Sequence, residues 1–312
     1  MNNPLNNQLS SPKRTLTLLL LLPVLAAAQG GGPGTSGADF LNLGVGARPM
    51  ALAGAYTAIS DDVFALQANP AGLSQVVKTE LGSFYANILA DVHHGWIGYA
   101  QEASSFLSFG FDLNMVYTSQ TRRNSYGDPE GEYWVGLGTA GGALALDFGG
   151  GFSLGLSGRY VFQKYDTEVG HGFAGDLGLL YHTKYNALRI GLVAENLGPN
   201  VDFLGTGDPM PMGLRLGLGS SILRQTLTFT GDVAYRLDNT LVGNVGIEWW
   251  AVEGVAIRAG YRILDDHDSW SGVCLGIGLD SLSGLIYGSL DYALIPREPL
   301  GYVHRVSYTL KF

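Results

Sequence analysis

Three short stretches of the chain carry residue types that could do chemistry. Residues 151–155, GFSLG, match the G-x-S-x-G pattern around the nucleophile of serine hydrolases. Residues 265–268, DDHD, offer carboxylates of the kind that bind divalent cations. His93 and His94 are adjacent, and imidazole is a frequent zinc ligand. Together these stretches raise the possibility of an outer-membrane enzyme or a metalloprotein.

The context of each stretch favours a structural interpretation. A serine nucleophile needs a sharp strand-to-helix turn, whereas Ser153 opens a stretch of alternating residues that is typical of a strand. The DDHD stretch falls in a predicted outer loop, where a solvated acidic loop is the commoner outcome. Neighbouring histidines on a strand point to opposite faces, and no further ligands can be placed beside His93 or His94. We therefore predict no catalytic residue, no metal site and no cofactor.

Composition narrows the class of protein. The chain has 312 residues, 46 of them glycine, with only 14% charged residues and a net charge of −9. Its single cysteine, Cys274, excludes an internal disulfide. Because no basic cluster follows the first 28 residues, nucleic acid is not an expected partner.

The N-terminus has the pattern of a secretory signal peptide. Lys13 and Arg14 precede an apolar run over residues 15–25, and Ala26-Ala27-Ala28 has the small residues of a cleavage site. The run is shorter than the roughly 20 residues that a membrane-spanning helix needs. We predict a signal peptide over residues 1–28 and a flexible, glycine-rich leader over residues 29–36.

From residue 76 onward the sequence alternates between apolar and polar residues, as half-buried strands do. We expect fourteen strands, near residues 77–88, 93–102, 105–119, 132–147, 152–166, 171–183, 188–196, 211–221, 226–237, 242–251, 255–264, 270–281, 284–294 and 301–312. Most are longer than the five or six residues usual in soluble sheets, and long connections alternate with short ones. The sequence predicts an all-β protein, a transmembrane antiparallel β-barrel over residues 76–312, with a soluble periplasmic β protein as the alternative.

If the apolar face of each strand contacts lipid, the polar face must line the lumen. That face has acids and bases mixed, so that neighbours can pair across strands. The lumen-facing polar residues are predicted to be Arg159, Asp176, Arg215, Asp232, Arg236, Glu248, Arg258, Arg262, Asp280 and Asp291. Aromatic residues near the strand ends fit an interfacial girdle, namely Tyr133, Trp134, Trp249, Trp250, Tyr302 and Tyr308.

Many inward positions are glycine, which often marks the close approach of another backbone. Those singled out are Gly110, Gly191, Gly217, Gly246, Gly276 and Gly278. Residues 37–75 break the alternation, so we predict that they form a lumenal plug, or hatch, with short helices.

Within the hatch, Arg48 is the residue most in need of a partner, because it lies in a nearly uncharged stretch. We expect it to anchor the hatch to an acidic wall residue such as Asp232 or Glu248, and we expect Arg48→Ala to loosen the hatch. Asn69, Pro70, Ala71 and Gly72 predict a rigid turn before the first strand, either a gate or a purely structural latch. Asp61 and Asp62 are expected to cap a short helix that starts near Val63.

The hatch sequence resembles the N-terminal signature of the PorV/PorQ family, which is similar to the FadL-type fourteen-stranded outer-membrane transporters. The resemblance rests on Gly44–Arg48, Gly54-Ala55, Asp61-Asp62, Asn69–Leu73, Glu195–Pro199, Pro211–Gly217, Arg258–Arg262 and Asp291–Ala293. It adds Gly54 to the expected hatch or gate residues.

The resemblance implies a non-enzymatic protein of the bacterial outer membrane that contacts lipid. One implied role is support of protein secretion of the type IX kind, with secretion components or exported proteins as partners. The alternative is FadL-type uptake of hydrophobic small molecules, with lateral escape where a wall strand is broken. The chain is short for the secretion subunit of that family, which implies reduced outer loops.

Overall fold

The chain folds as a closed β-barrel around its own N-terminal segment. The computed structural model describes residues 35–88, 91–183, 188–203, 205–263, 272–280, 287–296 and 301–312. The strands are β1 (Thr79–Asn87), β2 (His93–Ser104), β3 (Leu107–Arg123), β4 (Pro129–Asp147), β5 (Phe152–Tyr165), β6 (Glu168–His182), β7 (Arg189–Leu197), β8 (Val201–Phe203), β9 (Thr206–Asp208), β10 (Gly213–Ile222), β11 (Leu227–Arg236), β12 (Leu241–Val252), β13 (Val255–Ile263), β14 (Val273–Asp280), β15 (Tyr287–Pro296) and β16 (Tyr302–Lys311).

Fourteen of these strands form the wall, and each pairs antiparallel with both neighbours. The ring closes because β1 pairs with β16 and β5 pairs with β6. Closure pairs the two ends of the wall sheet with each other, as a sheet in lipid requires. The expected antiparallel barrel of about fourteen strands is therefore confirmed. No helix in the described part of the chain is long and apolar enough to cross a membrane.

The alternation of residue types explains which face of each strand points inward. Along β5, residues at odd numbers from Ser153 to Gln163 are buried or half-buried, whereas Phe152, Leu156 and Tyr160 are exposed on the outside. The same pattern along the other strands gives an apolar outer surface, suited to lipid, and a largely polar lumen.

The two ends of the barrel differ in their connections. The end that contains Thr79 and Phe312, which we call the short-turn end, carries tight connections such as residues 148–151 and 253–254. The opposite end, which we call the long-loop end, carries the protruding tips of β3 and β4. These strands have 17 and 19 residues, more than the 9–11 that cross a bilayer.

The wall is interrupted at one place that the sequence pattern did not reveal. Asn196 has a left-handed φ of 54°, and the register of β6 against β7 shifts beside it. The chain then leaves the wall after Leu197, forms the small hairpin β8–β9 and returns at Gly213. The hairpin contacts the long-loop half of β6 through the pair His171 and Asp202.

The hatch, residues 37–75, lies inside the barrel. It contains a 3₁₀ turn (Asp39–Asn42), α1 (Ala47–Ala51), α2 (Ala65–Ala68) and a second 3₁₀ turn (Pro70–Gln75). Gly37 N donates to Pro209 O at 2.9 Å at the long-loop end, and the hatch finishes just before β1 at the short-turn end. The hatch therefore extends along most of the lumen.

Small wall residues let the hatch backbone approach closely. A Cβ atom at Gly155 would overlap the backbone of Pro70 and Ala71, and one at Gly260 would overlap Leu52 and Ala53. Of the glycines singled out from the sequence, the hatch lies against Gly110, Gly191, Gly217, Gly246 and Gly276, whereas Gly278 makes room for Arg258 and Asp291.

Hydrophobic packing then fills the remaining space. Leu52, Phe64 and Leu73 of the hatch are almost completely buried in one cluster with wall residues. The ring centroids of Phe64 and Trp96 on β2 lie 5.0 Å apart. The hatch thus packs against the wall as part of a hydrophobic core.

One expectation, the outward position of Trp250, is wrong, and three others lie outside the described residues. Trp250 does not belong to an outer girdle: its ring lies 6.0 Å from the Arg258 guanidinium, and it lines a lumenal cavity because it follows the outward-facing Trp249. The signal peptide over residues 1–28, most of the leader and the DDHD stretch lie outside the described residues.

Candidate functional site

The main polar contact between hatch and wall is made by Arg48, the second residue of α1. Its guanidinium donates to Glu248 of β12 in a two-pronged arrangement, with Nε–Oε2 at 2.9 Å and Nη2–Oε1 at 3.1 Å. Nη1 reaches Asp61 at 2.5 Å and Asp62 at 3.1 Å. One cation therefore ties two distant parts of the hatch to the wall.

The electrostatics of this cluster favour a permanently charged Arg48. Burial alone would lower the pKa of Arg48, but the carboxylates of Asp61 and Glu248 raise that pKa well above its ordinary value. The Tyr56 hydroxyl accepts from Arg48 Nη1 at 2.8 Å and donates to Asp62 at 2.7 Å. Every strong donor or acceptor near the guanidinium thus has a partner, as a buried ion pair requires.

The network continues along the wall. Arg258 of β13 donates to Glu248 at 2.6 Å and to Asp291 of β15 at 2.6 Å. Glu248 is consequently shared by a hatch arginine and a wall arginine. Of the two acids expected to anchor Arg48, Glu248 contacts it, whereas Asp232 contacts a different part of the hatch.

Asp232 of β11 binds the hatch backbone instead. Its Oδ2 accepts from the backbone N–H groups of Tyr56 and Thr57 at 3.2 and 3.1 Å, and from the Thr57 hydroxyl at 2.5 Å. Gly54, just before this stretch, has a φ of +86° and donates to Pro49 O at 2.9 Å, so it reverses the chain after α1.

The Asn69 turn forms a second attachment between hatch and wall. Asn69 has an extended backbone, its Oδ1 accepts from Ala71 N at 3.1 Å, and Pro70 opens the 3₁₀ turn. The side-chain amide Nδ2 of Asn69 donates to Thr57 O at 2.9 Å and to Leu179 O of β6 at 3.2 Å. Gly72 has no positive φ; its missing side chain makes room for the Ser60 carbonyl.

Asp61 and Asp62 do not form the expected helix cap, because α2 begins at Ala65 rather than near Val63 and its N-cap residue, Phe64, makes no side-chain cap. Asp62 Oδ1 does accept from Phe64 N at 2.9 Å, one residue before α2 begins. Both carboxylates, however, also contact Arg48, and Asp61 lies 3.7 Å from Arg189 of β7. Sequence reasoning missed this pairing because the two residues lie 13 and 14 positions from Arg48.

The other predicted lumenal residues fall into smaller groups. Arg159 and Asp176 form an ion pair, and Arg215 pairs with Glu195 at 2.6 Å. Arg236 and Arg262 are half-buried at inward positions, and Asp280 lines a cavity at the short-turn end.

Of the stretches that suggested chemistry, the serine and the two histidines lie in the described part of the chain, on β5 and β2. Ser153 is an inward residue of β5 whose hydroxyl pairs with Ser74 at 2.9 Å. His94 is buried against Asn114 at 2.7 Å, whereas His93 faces outward and pairs with Tyr85. No group of three metal-ligating side chains occurs in the described ranges.

Two sizeable cavities lie at opposite ends of the hatch. The lower cavity, at the short-turn end, has a volume of about 570 Å³ and is lined mainly by polar and charged side chains, among them Arg48, Asp61, Arg189, Asp280 and Lys311. Most of these charges already pair with each other, so the cavity is suited to water more than to an apolar guest.

The outer cavity, at the long-loop end, has a volume of about 370 Å³ and a different lining. Phe40 of the hatch, Leu137 of β4, and Val201 and Phe203 of the hairpin give it an apolar wall. Next to it, hatch residues Ala38 and Phe40 pack against inward-facing Val116, Val161 and Ala174. The sequence analysis did not identify this apolar part of the lumen.

Fold and lumen together define a transmembrane β-barrel that is plugged by its own N-terminal segment. Residues 27–165 match the model of an uncharacterised protein family, UPF0164. A UPF0164 protein from Treponema pallidum (strain Nichols) is 26% identical over 219 residues, which is 58% of this chain and 51% of that protein. The chain thus spans about half the length of the curated relative that it matches.

Solved structures with a similar fold include a hydrocarbon channel and toluene transporters. The CymD monoaromatic hydrocarbon channel aligns with a TM-score of 0.62 at 15% identity, over 86% of this chain and 98% of that chain. The Pseudomonas putida toluene transporter TodX aligns with a TM-score of 0.58 at 14% identity, over 86% and 99% of the two chains. The Ralstonia pickettii toluene transporter TbuX gives 0.58 at 13%, over 86% and 97%. At these identities the likeness is one of fold.

Proposed function

We propose that this protein is an outer-membrane channel that admits small hydrophobic molecules from the long-loop side. The observation that carries the proposal is the outer cavity. Its volume of about 370 Å³ lies within the range of small-molecule sites, and apolar side chains of hatch, wall and hairpin converge on it. An aromatic or short aliphatic molecule fits such a space.

The lower half of the lumen restricts how such a molecule can pass. Between hatch and wall, below the outer cavity, lies a space of only about 80 Å³, bordered by Arg159, Glu195 and Arg215. An apolar molecule moving straight through would have to displace the hatch and then cross the charged Arg48 network. Direct passage is therefore blocked while the hatch is seated.

The wall interruption at Asn196 offers a shorter route. The hairpin that covers it supplies Val201 and Phe203 to the outer cavity. Movement of this hairpin would open the cavity beside the long-loop half of β6, which the hairpin now covers, toward lipid. Similar folds described as hydrocarbon channels and toluene transporters support this reading. The hatch then acts as the floor of the site, with Arg48 and the Asn69 turn as its fixed points.

An uptake experiment tests the proposal. Cells that express the protein should accumulate radiolabelled ethylbenzene faster than cells that carry an empty vector. Leu137→Trp should abolish most of the gain, because it fills the outer cavity. Ala140→Trp is the matched control, since residue 140 of the same strand faces outward and is exposed.

Heat-modifiable gel migration of the membrane fraction should show that both variants form barrels. Equal uptake by expressing and empty-vector cells would refute the channel function. A role in protein secretion, the other function implied by the PorV/PorQ resemblance, predicts instead a co-purifying exported protein and no dependence on Leu137. No described feature of the outer surface favours that role.

A further inference from the structure

Gln163 stands out among the polar side chains of the lumen. It is the outermost buried inward residue of β5, opposite Leu137 on β4 and Gly170 on β6. Only 6% of the residue is exposed, and its Nε2 has no hydrogen-bond partner. Leaving a buried amide N–H unpaired costs roughly 1–3 kcal/mol, and most buried polar groups avoid that cost.

The position of this amide points to a ligand. Of the described buried side chains with an unpaired polar atom, Gln163 is the one that lines any of the three cavities described above, namely the outer one. Nε2 itself is closed off from solvent, so a turn of the side-chain amide presents it to a guest. Its neighbours there offer mainly carbon: Leu137 lies beside it, and the Tyr165 and Phe203 rings lie 5.3 Å apart at the rim. A guest with an apolar body and one acceptor atom would satisfy Nε2.

Charge at the cavity selects among such guests. The described lining residues include two acids, Asp39 of the hatch and Asp208 of β9, and no base. Ser36 donates to Asp39 at 2.5 Å, which holds that carboxylate near the opening. A carboxylate guest would meet like charge there, which disfavours its binding relative to that of a neutral molecule.

We infer that the outer cavity selects neutral molecules with an apolar body and a single hydrogen-bond acceptor, and that Gln163 binds the acceptor and sets the specificity. The inference rests on the proposed channel function and narrows its substrate class. A site that presents a buried, otherwise unpaired donor discriminates against an analogue that lacks the acceptor. Hydrocarbons without a polar atom should therefore be weaker ligands, and carboxylates weaker still.

Three ligands of similar size separate these classes: acetophenone with a neutral carbonyl, ethylbenzene without an acceptor, and benzoate with a negative charge. Equilibrium dialysis of the full chain in detergent, corrected with empty micelles, measures their binding. We expect acetophenone to bind roughly 3- to 10-fold more tightly than ethylbenzene, as one net hydrogen bond allows. Benzoate should bind least.

Gln163→Met removes the donor and keeps the length of the side chain. It should lower acetophenone affinity roughly 3- to 10-fold and leave ethylbenzene binding nearly unchanged. Gln120→Met is the control, because residue 120 is exposed near the end of β3 and lies outside the cavity lining. Heat-modifiable migration shows whether each variant has folded.

The outcomes separate the inference from the function on which it rests. Equal binding of acetophenone and ethylbenzene by the unmodified protein would overturn the inference while leaving a hydrophobic site in place. So would benzoate binding as tight as that of acetophenone, or an unchanged preference in Gln163→Met. Failure of all three ligands to bind would instead count against the channel itself. If Gln163→Met does not fold, the comparison of ligands on the unmodified protein still decides.

Discussion

The two ends of the lumen hold the hatch by different forces. At the short-turn end, Arg48 and Arg258 share Glu248, and each charge has a fixed partner. At the long-loop end, Phe40 and Ala38 pack against Val161 and Val116 through apolar contacts, beside a backbone hydrogen bond from Gly37 to Pro209. Ion pairs fix one geometry, whereas apolar contacts depend mainly on area. An apolar guest can therefore replace hatch contacts at the outer end while the inner end stays anchored.

Among the tests of this contrast, Arg48→Ala should have the largest effect on stability. It leaves Glu248, Asp61 and Asp62 without their shared cation, and breaking a buried pair costs about 3–5 kcal/mol. We expect the free energy of unfolding in guanidinium to fall by about that amount and thermolysin to cleave within residues 37–75.

The control for this variant is Arg122→Ala. Arg122 pairs with Asp166 at the protruding tips of the strands, where half of its side chain is exposed. Exposed pairs contribute about 0–1 kcal/mol, so this change should be nearly silent. Equal effects of the two substitutions would show that the Arg48 network does not retain the hatch.

Phe40→Ala tests the apolar end. Phe40 is 6% exposed, and truncating a buried phenylalanine costs about 3 kcal/mol at the lower end of the usual range, which suits a residue beside an existing cavity. Thermolysin fragments identified by mass spectrometry should begin within residues 36–45 only. Cleavage beyond α1 would mean that the two ends are released together, against the contrast drawn above.

Gly155→Ala gives the smallest of the three effects. The added methyl group meets the backbone of Pro70 and Ala71, and overpacking of this kind costs about 1–3 kcal/mol. Gly158→Ala on the same strand points into open space and serves as the matched control. Urea or guanidinium midpoints of the two variants should differ; identical midpoints would indicate that the Asn69 turn is not packed against β5.

The wall could be predicted from the sequence because its signal is local. Each strand repeats with period two over eight or more residues, so all fourteen wall strands lie where the alternation placed them. The hairpin β8–β9 was not predicted, because each of its strands has only three residues and so shows no alternation. Trp250 was misplaced because an aromatic near a strand end was assigned to the outer girdle without regard to its parity.

The sequence predicted which side chains face the lumen, but not which of them contact each other. Asp232 and Glu248 both lie at inward positions of neighbouring strands. Which of them contacts Arg48 depends on the position of α1 inside the lumen, and the alternation of the strands does not determine that position. The outer cavity was missed for a related reason. Val161 and Val116 alternate with outward apolar residues, so the sequence there gives no contrast between the faces. Gln163 looked like any other polar lumenal residue until its surroundings were known.

The pairing of β1 with β16 has a consequence for biogenesis. The wall closes only when β16 reaches β1, more than 200 positions earlier in the chain. The hatch precedes β1, so it is synthesised before the wall that covers it. Until closure its buried leucines and phenylalanines have no wall to cover them. We expect the exported chain to depend on a holding chaperone for the whole of this interval, and a shortened C-terminus to leave the hatch exposed to proteases.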